Sequence, residues 1–185
     1  VLDAGCGSGY FSKYFFDQGA AVTALDYSQE ALRMTWDLTD GRVATIKTDL
    51  VRDDLKSAVT DQRYDLIFSD GLFEHFEPGD QDKILANFCS VLNDEGVVLT
   101  VVPNRWSPWQ LIRPWMMPGI DEKPFLLKEL IAMHERHDLQ IVEAGGINVL
   151  PFYWSPEFLG PYVGMLVYVI AKKPDAGSLR QEKRP

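Results

Sequence analysis

The first ten residues hold the feature that most restricts how this chain can fold. The apolar pair Val1-Leu2 is followed by glycines at three alternate positions, Gly5, Gly7 and Gly9, and then by a helical pattern. This order predicts a buried strand, a tight turn and the start of a helix. Glycine adopts backbone conformations closed to other residues and lets a ligand approach the main chain closely. The free N–H groups at a helix start suit a carboxylate or a phosphate. We therefore predict a nucleotide-type ligand site.

The spacing of the glycines distinguishes between ligands. The dinucleotide fingerprint G-x-G-x-x-G has its last glycine where the helix packs closely on the strand and the pyrophosphate needs room. In this chain Tyr10 stands at that position. A tyrosine side chain crowds a pyrophosphate but leaves room for a smaller carboxylate. Because such a turn also occurs for purely structural reasons, the assignment depends on further residues.

Two acidic residues follow the next two predicted strands. Asp26 comes directly after the apolar residues 21–25, where doubly wound folds bind ribose hydroxyls. Asp49 comes after the strand-like residues 43–48, and its carboxylate can accept a hydrogen bond from an adenine amino group. Leu50 could then pack on the adenine ring.

These spaced motifs resemble those of the class I S-adenosylmethionine-dependent methyltransferases, and the resemblance runs from residue 1 to about residue 173. It implies S-adenosyl-L-methionine as cofactor and S-adenosyl-L-homocysteine as product. The residues implied at the methionine end are Asp3, Gly5, Cys6, Gly7 and Gly9; those at the ribose are Asp26, Tyr27 and Ser28; those at the adenine are Asp49 and Leu50.

Strand and helix patterns alternate along the chain, which is typical of βαβ units around a mostly parallel sheet. The resemblance implies a Rossmann-like, doubly wound α/β fold with seven strands in the order 3-2-1-4-5-7-6, the last strand antiparallel. We expect one domain over residues 1–173 and a disordered tail over residues 174–185. The helical pattern that begins near Pro78 is predicted to end at Gly96, and the last strand is predicted over residues 162–171.

The loop after the fourth predicted strand reads Ser69-Asp70-Gly71-Leu72-Phe73-Glu74-His75-Phe76. It resembles a segment of the ubiquinone- and menaquinone-biosynthesis-like, or type 11, methyltransferases. The resemblance implies that backbone at Ser69, Asp70 and Gly71 binds the amino group of the cofactor. The Asn/Asp-Pro-Pro-aromatic tetrad of adenine-methylating enzymes is missing, which disfavours a base methylase. His75 is the candidate general base, since imidazole titrates near neutral pH; a structural role for His75 and Glu74 stays open.

Residues 103–124 are the longest departure from a minimal fold, and we predict a lid over the substrate. The segment holds three of the five tryptophans of the chain, together with several prolines. The candidate substrate-binding residues are Arg105, Trp106, Trp109 and Arg113. They suit an apolar or aromatic acceptor, with an arginine available for a carboxylate or a phosphate. Mutual packing, a dimer contact and a membrane-surface patch are the alternatives.

Charge and composition exclude several partners. The formal net charge of −9 argues against nucleic acid, because neutralising a phosphate backbone requires Lys and Arg. No apolar run approaches the ~20 residues of a spanning helix, so we expect a cytoplasmic protein without integral membrane association. A homodimer is left open.

The histidines and cysteines give no sign of a metal site. His134 and His137 are expected at a solvated helix end, the two cysteines are expected to be reduced, and no metal site is predicted.

The leading hypothesis is in-line methyl transfer to the O, C or N atom of a small apolar or aromatic acceptor. A protein methyltransferase, a non-catalytic module that binds the same cofactor and an NAD-dependent reductase are the alternatives. Because the chain starts directly on the first predicted strand without Met, we expect a preceding segment that helps to cover the active site.

Overall fold

The structure, a computed structural model, describes residues 1–116, 119, 122–149 and 156–174. The strands are β1 Leu2–Ala4, β2 Thr23–Asp26, β3 Ala44–Lys47, β4 Tyr64–Asp70, β5 Leu92–Pro103, β6 Gln140–Ile147 and β7 Leu166–Lys172. The α-helices are α1 Tyr10–Asp17, α2 Gln29–Leu38, α3 Leu55–Ala58, α4 Pro78–Val91, α5 Trp109–Met116, α6 Leu127–Glu135 and α7 Gly160–Val163. Short 3-10 helices cover Phe73–His75 and Glu157–Leu159.

One sheet contains all seven of these strands, in the order β3-β2-β1-β4-β5-β7-β6. The strands β1 to β5 pair in parallel, whereas β7 is antiparallel to both β5 and β6. The predicted fold class and strand order are therefore confirmed. The carboxyl ends of the five parallel strands meet at one edge, where open α/β sheets bind their ligands.

The central strands β1 and β2 are buried along their whole length, whereas the edge strands β3 and β6 are largely exposed. The main core of the protein includes the fully buried side chains of Leu2, Ile67, Phe73, Phe88 and Leu130. A smaller cluster around Leu32 and Val43 packs α1 and α2 against the other half of the sheet. The ends of β1, β2 and β4 are thus held by packing on both sides, which gives the residues that follow them defined positions.

Two predicted boundaries were wrong. The helix α4 ends at Val91, not at Gly96, and β5 begins at Leu92. The pairing of β5 with β4 changes register before Val97, and a Cβ on Gly96 would lie 2.9 Å from the backbone oxygen of Tyr64. Gly96 therefore allows close approach of two strands and does not cap the helix. The last strand starts at Leu166, because Gly160–Val163 is helical.

The segment between β5 and α6 leaves the sheet and returns to it at one point. Asn104 and Phe125 form an isolated parallel bridge. The N–H of Arg105 donates to Phe125 O at 2.8 Å, and the N–H of Phe125 donates to Pro103 O at 2.9 Å. Buried Asn104 also donates through Nδ2 to Gly164 O at 2.9 Å. The two ends of the predicted lid are therefore fixed side by side.

Among the helices of the described residues, none combines the length and the apolar character that crossing a bilayer requires. The predicted tail over residues 174–185 lies, apart from residue 174, outside the described residues.

Candidate active site

The turn between β1 and α1 is built from three glycines in the left-handed region. Their φ angles are 76° at Gly5, 51° at Gly7 and 81° at Gly9. The N–H groups of Gly5 and Cys6 both donate to Leu25 O, at 2.8 and 3.0 Å, which fixes the turn to β2. A Cβ on Gly9 would lie 2.7 Å from the Cα of a residue on α2, whereas a Cβ on Gly7 would have no atom within 4 Å. The absence of a side chain at Gly9 thus allows α2 to pack against the turn, whereas the space beside Gly7 is free of protein atoms.

A cleft of about 210 Å³ lies beside this turn. The lining residues are Asp3, Gly5, Cys6, Gly7, Ser8, Tyr10, Phe11, Phe68 and Asp70. Five of them were predicted as cofactor-binding residues from the sequence: Asp3, Gly5, Cys6, Gly7 and Asp70. The ends of β1 and β4 and the glycine turn between them therefore form one site.

The cleft is acidic. Asp3 is buried, and its Oδ2 accepts a hydrogen bond from Ser12 Oγ at 2.5 Å. Burial, and to a lesser extent the charges of Asp70 and Asp26, raises the pKa of Asp3 to about 6. Burial also raises the pKa of Asp70. Because each carboxylate is costly to ionise while unpaired, a positively charged ligand would stabilise this cleft.

Asp26 lies at the end of β2 and is buried, with both carboxylate oxygens bonded to the backbone. Oδ2 accepts from the N–H of Gly7 at 3.1 Å, and Oδ1 accepts from the N–H of Ser28 at 2.8 Å. Each oxygen keeps a second lone pair for a hydroxyl group. Ser28 caps α2, because its side chain accepts a hydrogen bond from the N–H of Ala31. Tyr27, next to Asp26, is exposed.

Asp49 lies in the loop beyond β3, and β3 is the strand next to β2. Its Oδ1 accepts from the N–H of Val51 at 3.0 Å, and its Oδ2 lies 3.7 Å from Arg52. Leu50 is buried in the main core, and Asn87 Nδ2 donates to its backbone oxygen at 2.9 Å. Neither Asp49 nor Leu50 lines the 210 Å³ cleft, so their predicted adenine contacts stay predictions.

Cys6 has a structural environment. Its Sγ lies 3.4 Å from Thr35 Oγ1, and burial raises the pKa of the thiol to about 12. The thiolate, which is the nucleophilic form, is therefore absent at neutral pH.

The loop after β4 contains a buried acid that sequence reasoning did not single out as a functional group. Glu74 is 2% exposed, and its Oε2 has no hydrogen-bond partner among the described residues. Burial, followed by the charges of Glu122 and Asp70, raises the pKa of Glu74 to about 8, although Arg113 acts in the opposite direction. The adjacent His75 is exposed. Ser69, at the end of β4, is fully buried, and within the described residues its Oγ has no partner either.

The predicted substrate residues are divided between paired arginines and partly exposed aromatics. Arg105 makes a two-point ion pair with Glu129 and donates from Nε to Pro124 O at 3.0 Å. Arg113 Nη1 contacts Glu122 Oε2 at 2.5 Å. Trp106 is 68% exposed, and Trp109 is half-buried. Both guanidinium groups thus have acidic partners within the lid and α6, which no sequence spacing indicated.

His134 corrects a further expectation. It is fully buried rather than at a solvated helix end. Its Nε2 lies 3.0 Å from Thr100 Oγ1, its Nδ1 lies 2.9 Å from Leu130 O, and burial lowers its pKa to about 4. His134 is therefore a neutral residue between α6 and β5.

A family model described as a methyltransferase domain matches residues 1–96. Over 126 residues, the chain is 32% identical to a malonyl-[acyl-carrier protein] O-methyltransferase of Hamiltonella defensa, with 68% of this chain and 45% of that protein covered. It is 24% identical to a ubiquinone biosynthesis O-methyltransferase of Rickettsia bellii, with 80% of this chain and 64% of that protein covered. The chain thus spans less than half the length of the first of these relatives.

Among solved structures, a SAM dependent methyltransferase from Archaeoglobus fulgidus superposes with a TM-score of 0.72 at 20% identity. The superposition covers 94% of this chain and 85% of that one. At this identity the similarity concerns the fold alone.

Proposed function

The chain belongs to the methyltransferase domain family, and from that premise we propose that it catalyses methyl transfer from S-adenosyl-L-methionine to a small-molecule acceptor. Family membership confirms the resemblance to class I S-adenosylmethionine-dependent methyltransferases. The class of acceptor is a proposal that rests on the site itself, and the methylated atom is a proposal that rests on the names of the relatives.

The observation that carries the choice of cofactor is the acidic lining of the glycine cleft. Asp3 and Asp70 both line it, and both have raised pKa values because they are buried. A ligand with an ammonium and a sulfonium group would stabilise the ionised form of these two buried carboxylates. A pyrophosphate would instead place further negative charge beside them. Tyr10, which lines the same cleft, occupies space that a dinucleotide needs. These features support S-adenosylmethionine over NAD.

The cofactor fits the residues present in the following way. The glycine turn, Asp3 and the backbone at Ser69, Asp70 and Gly71 would hold its methionine end. Asp26, with Tyr27 and Ser28, would hold the ribose, and Asp49 with Leu50 the adenine. When bound, S-adenosylmethionine supplies a methyl group that its sulfonium has already activated. The protein then has to hold the acceptor atom in line with the methyl group and the sulfur. Such positioning can lower the activation free energy by about 7–11 kcal/mol.

The acceptor is proposed to be a small apolar or aromatic molecule that residues 103–124 cover. The lid is rich in aromatic side chains, and its helix α5 exposes Leu111, Trp115 and Met116. Apolar area of this kind suits burial of a small organic acceptor. The relatives reported above are named for O-methylation, which favours an oxygen atom. A protein substrate and cofactor binding without catalysis remain the competing functions.

Calorimetric titration tests the cofactor assignment. We expect S-adenosylhomocysteine to bind with one site per chain and NADH to bind at least ~10-fold more weakly. An Asp70→Asn variant should weaken S-adenosylhomocysteine binding. Asp94→Asn, which changes an exposed acid near the start of β5 and outside the residues that line the cleft, should leave it unchanged. Tighter binding of NADH would overturn the proposal.

The choice between catalysis and binding alone needs an acceptor screen. Radiolabelled methyl transfer to a library of hydroxylated aromatics and carboxylic acids should find substrates, and a matched panel of folded proteins should not. Labelled proteins without labelled small molecules would identify a protein methyltransferase. Tight S-adenosylhomocysteine binding without any transfer would identify a non-catalytic module.

A further inference from the structure

Three potential metal ligands meet beside the cleft, although the sequence indicated no metal site. They are Glu74 and His75 from the 3-10 helix after β4 and Glu122 from the return of the lid. One ligand atom from each lies within 4.8 Å of the other two. A cation with bonds of about 2.0–2.2 Å holds its ligand atoms roughly 3–4 Å apart, so small side-chain rotations suffice.

The unpartnered carboxylate oxygen of Glu74 is an independent sign that a ligand binds at this cluster. Its side chain is almost fully buried, and Oε2 has no hydrogen-bond partner among the described residues. Buried carboxylates are normally paired, hydrogen-bonded or bound to a metal. A cation between Glu74, His75 and Glu122 would give Oε2 the partner that it lacks.

The surrounding charges favour a divalent cation. Glu74 interacts electrostatically with Glu122, Asp70 and Arg113. When all are ionised, three carboxylates against one guanidinium leave two negative charges. Arg113 pairs with Glu122 through one contact, from Nη1 to Oε2, and one guanidinium cannot neutralise three carboxylates. Metal-bound carboxylates are usually held in this way by a neighbouring donor.

The backbone holds these residues together. The N–H of Lys123 donates to the backbone oxygen of Glu74 at 2.9 Å, so Glu122 is fixed next to the 3-10 helix. Lys123 also forms an ion pair with Glu77. The lid therefore contributes one ligand to a site whose other two ligands follow β4.

We propose that Glu74, His75 and Glu122 bind one divalent first-row metal ion beside the cofactor cleft. Two carboxylates and an imidazole suit Mn²⁺, Fe²⁺ or Zn²⁺, whereas Mg²⁺ prefers oxygen ligands alone. Three protein ligands leave coordination positions open for an oxygen of a hydroxyl or carboxylate group. A Cβ placed on Gly71 would lie 3.4 Å from Glu74 Oε1, and Asp70 lines the cleft, so such a group would be next to the cofactor site. This last step, the binding of an acceptor oxygen, rests on the proposed function.

Electron paramagnetic resonance tests the metal site directly, because free Mn²⁺ gives a six-line signal that weakens on binding. We expect one Mn²⁺ per chain in the absence of cofactor. The variants Glu74→Gln, Glu122→Gln and His75→Ala should each weaken binding at least ~10-fold. Asp80→Asn is the matched control, since it removes an exposed carboxylate from the nearby start of α4.

Absence of one-to-one Mn²⁺ binding, or equal binding by wild type and any of the three ligand variants, would overturn the metal site. Circular dichroism checks that each variant is folded. If Glu74→Gln unfolds, the exposed His75→Ala variant decides the question. Binding of S-adenosylhomocysteine is measured separately on the same samples. Failure of Mn²⁺ binding with intact S-adenosylhomocysteine binding would therefore reject only the metal site.

Discussion

Asp26 accepts a hydrogen bond from the N–H of Gly7 at 3.1 Å, and this contact joins the glycine turn to the end of β2. The same carboxylate accepts from the N–H of Ser28 at 2.8 Å, at the start of α2. The Asp26 side chain thus holds the glycine turn next to the start of α2. The proposed cofactor site is formed by this turn and by the ends of the neighbouring strands.

Replacing Asp26 should therefore affect binding and stability together. Asp26→Ala removes both acceptors and leaves the Gly7 N–H without its partner, which should destabilise the fold by about 1–3 kcal/mol. The affinity for S-adenosylhomocysteine should fall at least ~10-fold, as measured by calorimetry. Asp37→Ala, at an exposed position on α2, is the control and should change neither quantity. Unchanged affinity in a folded Asp26→Ala protein would remove Asp26 from the cofactor site.

Alanine substitutions at Gly7 and Gly9 should differ in their effects on stability and on ligand binding. Gly9→Ala places a Cβ 2.7 Å from backbone of α2 at a φ of 81°, so it should cost at least about 2 kcal/mol in unfolding free energy. Gly7→Ala meets no atom within 4 Å and should cost about 1 kcal/mol from φ alone, yet it should weaken ligand binding. Gly19→Ala, also at positive φ with free space, isolates the backbone term. Urea denaturation and calorimetry measure the two effects.

The pH dependence of stability should report on Asp3. Burial raises the pKa of Asp3 to about 6 from 3.8, so the folded state binds a proton that the unfolded state releases between these values. This contribution is complete below pH 3.8 and is lost as the pH rises through about 6, at a cost of about 3 kcal/mol. Asp3→Asn keeps an acceptor for Ser12 and should remove this pH dependence. Urea denaturation of both proteins from pH 4 to 8 makes the comparison; parallel curves would contradict it.

His134 should be a stability residue and not a catalytic one. His134→Ala leaves a cavity and removes the partner of Thr100 Oγ1, so the free energy of unfolding should fall by about 3 kcal/mol. The affinity for S-adenosylhomocysteine at a temperature where the variant is folded should be unchanged. His137→Ala, at a partly exposed position that contacts Asp82, should cost less than about 1 kcal/mol. A similar loss for both variants would show that burial of His134 is not the cause.

His75→Ala should lower turnover on an identified acceptor while the cofactor affinity is retained. The loss is expected to be about 10²-fold or more if the imidazole accepts a proton from a hydroxyl acceptor. Turnover measured with and without added Mn²⁺ separates this role from metal binding. Full activity of His75→Ala under both conditions would exclude His75 from catalysis.

Much of the fold could be predicted because its signals are local. The three glycines of the turn, the apolar residues 21–25 and the strand-like residues 43–48 each form a short, nearly continuous stretch of sequence. The alternation of these elements, together with the family resemblance, was enough for the strand order. Gly96 misled the prediction because a glycine after a helical pattern indicates a cap, whereas here it permits close approach between β4 and β5.

The lid and the acid cluster could not be predicted in the same way. Glu74 and Glu122 are far apart in sequence, and their proximity depends on the backbone bond between Lys123 and Glu74. The ion pairs of Arg105 with Glu129 and of Arg113 with Glu122 also depend on how the chain folds. The spacing of residues in the sequence therefore could not show whether either arginine is available to a substrate. His134 was misplaced because a histidine near a helix end is usually solvated, and only packing against Thr100 reveals its burial.

The bridge between Asn104 and Phe125 has a consequence for divergence among relatives of this chain. The lid leaves the end of β5 and returns to it at paired positions. Its length and side chains can therefore change without altering the register of β5 or the start of α6. Grafting a different lid between these two residues should therefore change the acceptor preference, while the proposed cofactor-binding half of the protein stays unchanged.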